Sequence, residues 1–142
     1  MNKFLKPELT ILISSAETKN EIRLMFRFFG KLNLIKIIPA KLFKPPVWLL
    51  SYFFGTRKTK LLKNILDDTD LPFAKWAVKE LVNWENVSRI ENVIKIHGSK
   101  DRLIPVRGER KMEIIKDGGH FMIVDKADEI SNIINSKMGL IG

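Results

Sequence analysis

Apolar and polar positions follow two different rhythms along this chain. Near its start, Leu9 to Ile13 reads Leu-Thr-Ile-Leu-Ile, an almost continuous apolar run closed by Ser14, Ser15 and Ala16. A run this short and this rich in β-branched residues predicts a buried strand of a parallel sheet. Ahead of it, Asn2 to Leu5 reads as the tail of a helix broken at Pro7. Met1 then falls inside an element, and an upstream continuation is expected. From Thr18 the rhythm turns helical. Ile22, Met25, Phe26 and Phe29 share one face, and Gly30 is a stop. Lys31 to Leu42 keeps helical spacing but is interrupted by Pro39. Pro45-Pro46 opens a further helical segment, Val47 to Phe54, which Gly55 ends. Arg57 to Leu66 and Pro72 to Asn83 predict two more helices, the second capped by Asp70 with Pro72 near its first turn.

The rhythm then changes. Asn92 to His97 is strand-like and ends at Gly98, and Met112 to Ile115 is a second short strand ending at Lys116-Asp117-Gly118-Gly119. Lys126 to Lys137 is a closing helix with Ala127, Ile130, Ile133 and Ile134 on one face. The order strand, helices, strand, strand, helix predicts an α/β layer arrangement. About three parallel strands are expected, with helices inserted after the first and one helix at the end.

Composition sets limits on this picture. A chain of 142 residues, 45% hydrophobic and 29% charged, has room for one globular domain and a modest core. The formal net charge of +9 raises the question of an anionic partner. The cations are mostly lysines spread along the sequence, densest at Arg57, Lys58, Lys60 and Lys63, so a solvated basic surface is expected and nucleic-acid binding is not. Cysteine is absent, which excludes disulfides and thiolate metal sites. Two histidines give no recognised zinc spacing, so no metal is expected. No signal peptide is visible, and the most apolar window, Val47 to Phe54, is far short of the ~20 residues of a membrane span. A cytoplasmic protein is the default expectation. An amphipathic basic helix on a membrane is a conceivable use of Lys36 to Phe54, but Pro39, Pro45 and Pro46 argue against one long helix.

The chemistry-bearing residues cluster near the C-terminus. His97-Gly98-Ser99-Lys100-Asp101-Arg102-Leu103-Ile104-Pro105 follows one strand, and Gly118-Gly119-His120-Phe121-Met122 follows the next, with Asp101 19 residues before His120. Loops at the C-terminal ends of adjacent parallel strands lie side by side. Asp101 can therefore reach His120, as a carboxylate that accepts Nδ1–H and fixes the tautomer of a general base. Gly118 and Gly119 are expected to let the backbone turn tightly so that His120 projects over the sheet. His97 is expected to sit structurally beside Gly98.

At these residues the chain resembles the α/β-hydrolase family. His97-Gly-x-x-Asp101-x-x-x-Pro105 resembles its acid loop, Gly118-Gly119-His120-Phe121 its histidine loop, and the closing helix its last helix. Leu-Thr-Ile-Leu-Ile-Ser-Ser-Ala is similar to the strand that follows the nucleophile's helix, and the helices from Thr18 to Asn86 to the family's cap. The resemblance covers nearly the whole chain and the second half of the family's fold. It implies a partial α/β-hydrolase domain over 1–142: a first strand region (1–17), a helical cap (18–86), and C-terminal strands and helix (87–142). The implied parent activity is Ser-His-Asp hydrolysis of a small, largely apolar ester, without cofactor or metal. Asp101 would be the acid and His120 the base.

One departure shapes the expectation. The family's nucleophile sits in a Gly-x-Ser-x-Gly elbow upstream of these elements, and no such motif occurs here. One oxyanion donor follows the nucleophile, so the hole is expected to be lost as well. Loss of a triad nucleophile costs roughly a million-fold in turnover. Ser14 and Ser15 end the wrong strand and are expected only to hydrogen-bond at a strand end. A truncated hydrolase, inactive alone, is therefore the first expectation. A half-enzyme completed by an N-terminal chain is the second. A binding module that uses the apolar cap and an exposed sheet edge, with self-association possible, is the third. Phe26, Phe29, Trp48, Tyr52 and Phe53 are candidates to line a substrate pocket under the cap, or are plain packing.

Overall fold

The computed structural model describes residues 7–32, 34–106 and 112–139, without the side chains of Phe29 and Gly30. The helix tail expected over Asn2 to Leu5 lies outside them. Three strands, β1 (Thr10–Ile13), β2 (Val93–Gly98) and β3 (Glu113–Ile115), form one sheet in the order β1-β2-β3. Both pairings are parallel, with Thr10 beside Val93, Ile13 beside Ile96, and Gly98 beside Ile115. The mixed α/β class and the parallel sheet are those the apolar runs predict.

Alternation along β2 explains the two faces of the sheet. Ile94 and Ile96 point one way, with Ile11, Ile13, Ile115, Met122 and Ile130. The C-terminal helix α7 (Ala127–Met138) covers that face through Ile130, Ile133 and Ile134. Lys95 and His97 lie on the opposite side and are buried too. A buried cation costs free energy unless it is paired. Lys95 is paired with the Glu21 carboxylate.

Among the described residues, five α-helices lie between β1 and β2: α1 (Leu24–Lys31), α2 (Leu34–Ile37), α3 (Val47–Phe54), α4 (Thr59–Asp68) and α5 (Leu71–Val82). A short helix, α6 (Met122–Asp125), precedes α7 and was not foreseen in the sequence. The two ends of the helical segment are tied together. The Glu17 carboxylate accepts from the Ile90 amide at 2.5 Å, and the Asn86 side-chain amide donates to the Glu17 carbonyl at 2.9 Å. Asp70 caps α5, accepting from the Phe73 amide at 2.7 Å, as its position before Pro72 predicts.

Two expected helices differ from the structure. The one read from Thr18 begins only at Leu24, because residues Lys19–Glu21 form a 3₁₀ turn and Ile22 is extended. Glu21 is held there by Lys95 and by the amides of Glu17 and Thr18, each at 3.3 Å. Long-range pairing thus overrides the helical spacing, and Ile22 is buried from outside the helix. The segment Lys31 to Leu42 is divided into α2 and a 3₁₀ turn, Ala40–Phe43. Pro39 disfavours helical backbone at the residue before it, which accounts for the division.

Candidate active site

The parallel arrangement brings the C-terminal ends of β2 and β3 together, and the chain turns sharply after each. After β2, Ser99 donates its amide to the Ile115 carbonyl at 3.0 Å and Lys100 donates to the Gly118 carbonyl at 2.8 Å. These bonds lock the loop after β2 against the loop after β3. A Cβ on Gly98 would lie 2.2 Å from the Gly118 carbonyl oxygen, so the two loops approach as closely as glycine allows. Gly118 and Gly119 do not take the left-handed conformation; among the described residues Gly55 is the glycine with positive φ. Gly119 is needed instead for contact with the end of α3, since its Cβ would meet the Phe54 carbonyl oxygen at 2.6 Å.

Asp101 and His120 meet at this junction. His120 Nδ1 lies 2.9 Å from Asp101 Oδ2. The Asp101 side chain is wholly buried, while that of His120 keeps 23% exposure. An ionised carboxylate only accepts hydrogen bonds, so Nδ1 carries a proton, and in the neutral imidazole the lone pair is then on Nε2. The second carboxylate oxygen, Oδ1, accepts from the amides of Leu103 and Ile104, each at 2.9 Å. The carboxylate is therefore held from both sides.

His97 takes a larger part than its sequence position suggests. Its Nε2 donates to the Ile104 carbonyl at 2.6 Å and lies 3.3 Å from Asp101 Oδ2. Asp101 thus stands between two imidazoles, a buried one in β2 and a partly exposed one after β3. Burial works against the Asp101 carboxylate. Hydrogen bonds from His120, His97 and the Ile104 amide outweigh it and hold the group below the usual carboxylate range. Burial likewise works against a charged His97, but the Asp101 carboxylate and the Ile104 carbonyl outweigh it and raise its pKa.

The aromatic candidates separate. The α3 helix ends against the loop after β3, where the Phe121 amide donates to the Phe54 carbonyl at 3.0 Å. The Phe54 ring meets the His120 ring edge-on at 5.5 Å. Phe54 and Gly55 are contacts that sequence reasoning did not assign. They close the apolar run of α3, and that position was their available signal. Tyr52 is 56% exposed, with the Arg102 guanidinium 4.1 Å above its ring and donating to its carbonyl at 2.6 Å. Phe53 packs edge-on to Tyr52, whereas Trp48 is 70% exposed. Phe26 is half-buried on α1, and the Phe29 side chain lies outside the described residues.

Neither strand-end serine joins the pair. Ser15 Oγ donates to the Ile13 carbonyl at 2.9 Å. Ser14 is buried in a left-handed conformation with no hydrogen bond to its Oγ. The described bonds of both imidazoles go to Asp101 and Ile104. Among the described residues, no group of three His, Asp or Glu side chains is placed to hold a metal ion, and no helix is long and apolar enough to cross a membrane. No family model, curated protein or solved structure matches the chain.

Proposed function

We propose that Asp101 and His120 are the acid and the general base of an α/β-hydrolase-type acyl-transfer site for a small, largely apolar ester. The observation that carries this reading is the 2.9 Å Nδ1–Oδ2 bond across adjacent parallel strand ends, which aims the other ring nitrogen, Nε2, away from the carboxylate. In the reaction, Nε2 takes the proton from a serine hydroxyl as its oxygen bonds to the ester carbonyl carbon. The imidazolium, stabilised by Asp101, then returns the proton to the departing alcohol. Water repeats the cycle on the acyl-serine and releases the acid. The serine comes from a complementary N-terminal α/β segment, because this sequence contains no Gly-x-Ser-x-Gly. Phe54 shields one side of His120, which suits a base that works away from bulk water.

The test is hydrolysis of p-nitrophenyl butyrate by the chain alone and by the chain co-expressed with N-terminal α/β segments that carry the elbow motif. The reading expects little turnover alone and restored turnover in a complex, abolished by His120→Ala. Restored turnover that survives His120→Ala would sink it. A second reading, a non-catalytic binding module, is favoured by Leu24, Phe28, Ile37 and Trp48, all more than half exposed. Failure of every complex to hydrolyse ester would favour that alternative.

A further inference from the structure

From Ile22 to Leu66 the chain carries ten Lys and Arg residues and no Asp or Glu. Within this stretch α1 has an unusual outer face. Leu24, Phe28 and Leu32 follow at four-residue spacing with Met25 beside them, and their exposures run from 51% to 68%. Residues so spaced share one side of a helix. Arg27 and Lys31 fall along the border of that stripe, one residue before Phe28 and Leu32. The pattern continues through α2 and the turn after it. Ile37 is 79% exposed next to Lys36, and Leu42 is 67% exposed next to Lys41. These elements are not loose. Ile35 is buried, and α1, α2 and the following turn all pack against α5.

The mixture of groups selects the occupant. A second copy of this face would set cations against cations, which opposes pairing. A nucleic acid would engage the cations and leave Leu24, Phe28 and Ile37 in water. A bilayer with anionic headgroups satisfies both kinds of group at once. The apolar side chains enter the acyl boundary, while Arg27, Lys31, Lys36 and Lys41 reach the headgroups on flexible stems.

We propose that the face formed by α1, α2 and the turn Ala40–Phe43 docks the protein on the anionic surface of a lipid bilayer. The chain lies on the membrane and does not cross it. The break at Pro39 is no obstacle, because the parts on either side of it both pack against α5. Docking is separate from hydrolysis and holds with or without a working acid–histidine pair.

The experiment is vesicle co-sedimentation of the full chain. Vesicles of phosphatidylcholine alone are compared with vesicles containing about one third phosphatidylglycerol. Binding at least about tenfold tighter to the anionic vesicles is expected, weakening as salt is raised. Leu24→Ser with Phe28→Ser, and separately Lys36→Gln with Lys41→Gln, should each weaken it about tenfold while the circular dichroism melt is unchanged. His120→Ala should bind as the parent does. Equal binding to both vesicle types, or none to either, overturns the proposal. So does a serine variant that binds like the parent while the glutamine variant loses vesicles and duplex DNA alike, for that is a general polyanion site. A concentration-dependent dimer, dissociated by Phe28→Ser and blind to vesicles, would make a second copy the occupant and overturn it equally.

Discussion

The strand-end site and the helical segment are built on opposite principles. Around the site, Ile96 and Met122 are completely buried, and the buried Asp101 carboxylate has a donor for each oxygen. In the helical segment, Ile35, Leu62 and Val82 are buried, yet Ile37, Trp48, Phe73 and Trp76 are each more than half exposed. The first region spends burial on geometry and holds the Asp101–His120 pair in one orientation. The second keeps apolar surface facing outward. Regions with few buried apolar contacts open at lower free energy, so the two should differ in stability as well as in chemistry.

The largest expected effect would come from removing the carboxylate. Asp101→Ala leaves the amides of Leu103 and Ile104 and the His120 imidazole without their acceptor, and His97 with only the Ile104 carbonyl. A loss of about 3–5 kcal/mol is expected, read from urea unfolding. Asp101→Asn should cost less, because its amide oxygen still accepts. A small cost for Asp101→Ala would break the comparison, since the site would then be no more tightly specified than the surface.

Next comes a pair of apolar truncations. Ile96→Ala removes a wholly buried side chain between β1 and β3 and should cost about 3 kcal/mol. Phe28→Ser removes a side chain that is 60% exposed and should stay within about 0.5 kcal/mol. Thermal melts of the two variants sharpen the contrast directly. Similar losses would mean that α1 is covered by part of the same core.

Dependence on pH should be weaker and should divide by sign. The Asp101 pKa is lowered in the folded chain, so its contribution is present above the unfolded value near 4 and is lost as pH falls through the folded one. The His97 pKa is raised, so its contribution is complete below the unfolded value near 6.5 and is lost as pH rises through the folded one. The two shifts share one hydrogen-bonded group and are not summed. Stability should peak between roughly pH 4 and 6.5. His97→Asn should flatten the alkaline decline and lessen the acid decline without abolishing it, because His120 and the Ile104 amide still hold Asp101, as measured by melting temperature against pH.

What the sequence made legible follows from how local each cause is. The strands were readable because β-branched runs at their length have few alternatives, and the order of elements then placed Asp101 near His120 through the geometry of parallel strands. The cap at Asp70 was readable because the whole motif spans four residues. The role of His97 was not. Its Gly98 neighbour suggested only a strand end, and its contact with Asp101 depends on how the turn 99–104 folds back. The start of α1 was misread because Glu21 answers to Lys95, 74 residues away. Phe54 reaches His120 only because Gly98 and Gly119 let loops touch, a condition that no periodicity encodes.

The smallest effect tests whether the two regions are separable at all. Asp70→Ala removes the cap of α5 and should cost about 1 kcal/mol. Because α1 and α2 lean on α5, the loss should spread through the helical segment before it reaches the sheet. Amide hydrogen exchange would show it. Faster exchange in the interiors of α1 and α5, with β2 amides unchanged, marks two units with separate opening energies. Equal acceleration in β2 marks one cooperative unit. The links between Lys95 and Glu21 and between Glu17 and Ile90 would then transmit every change in the helices to the strand that carries His97.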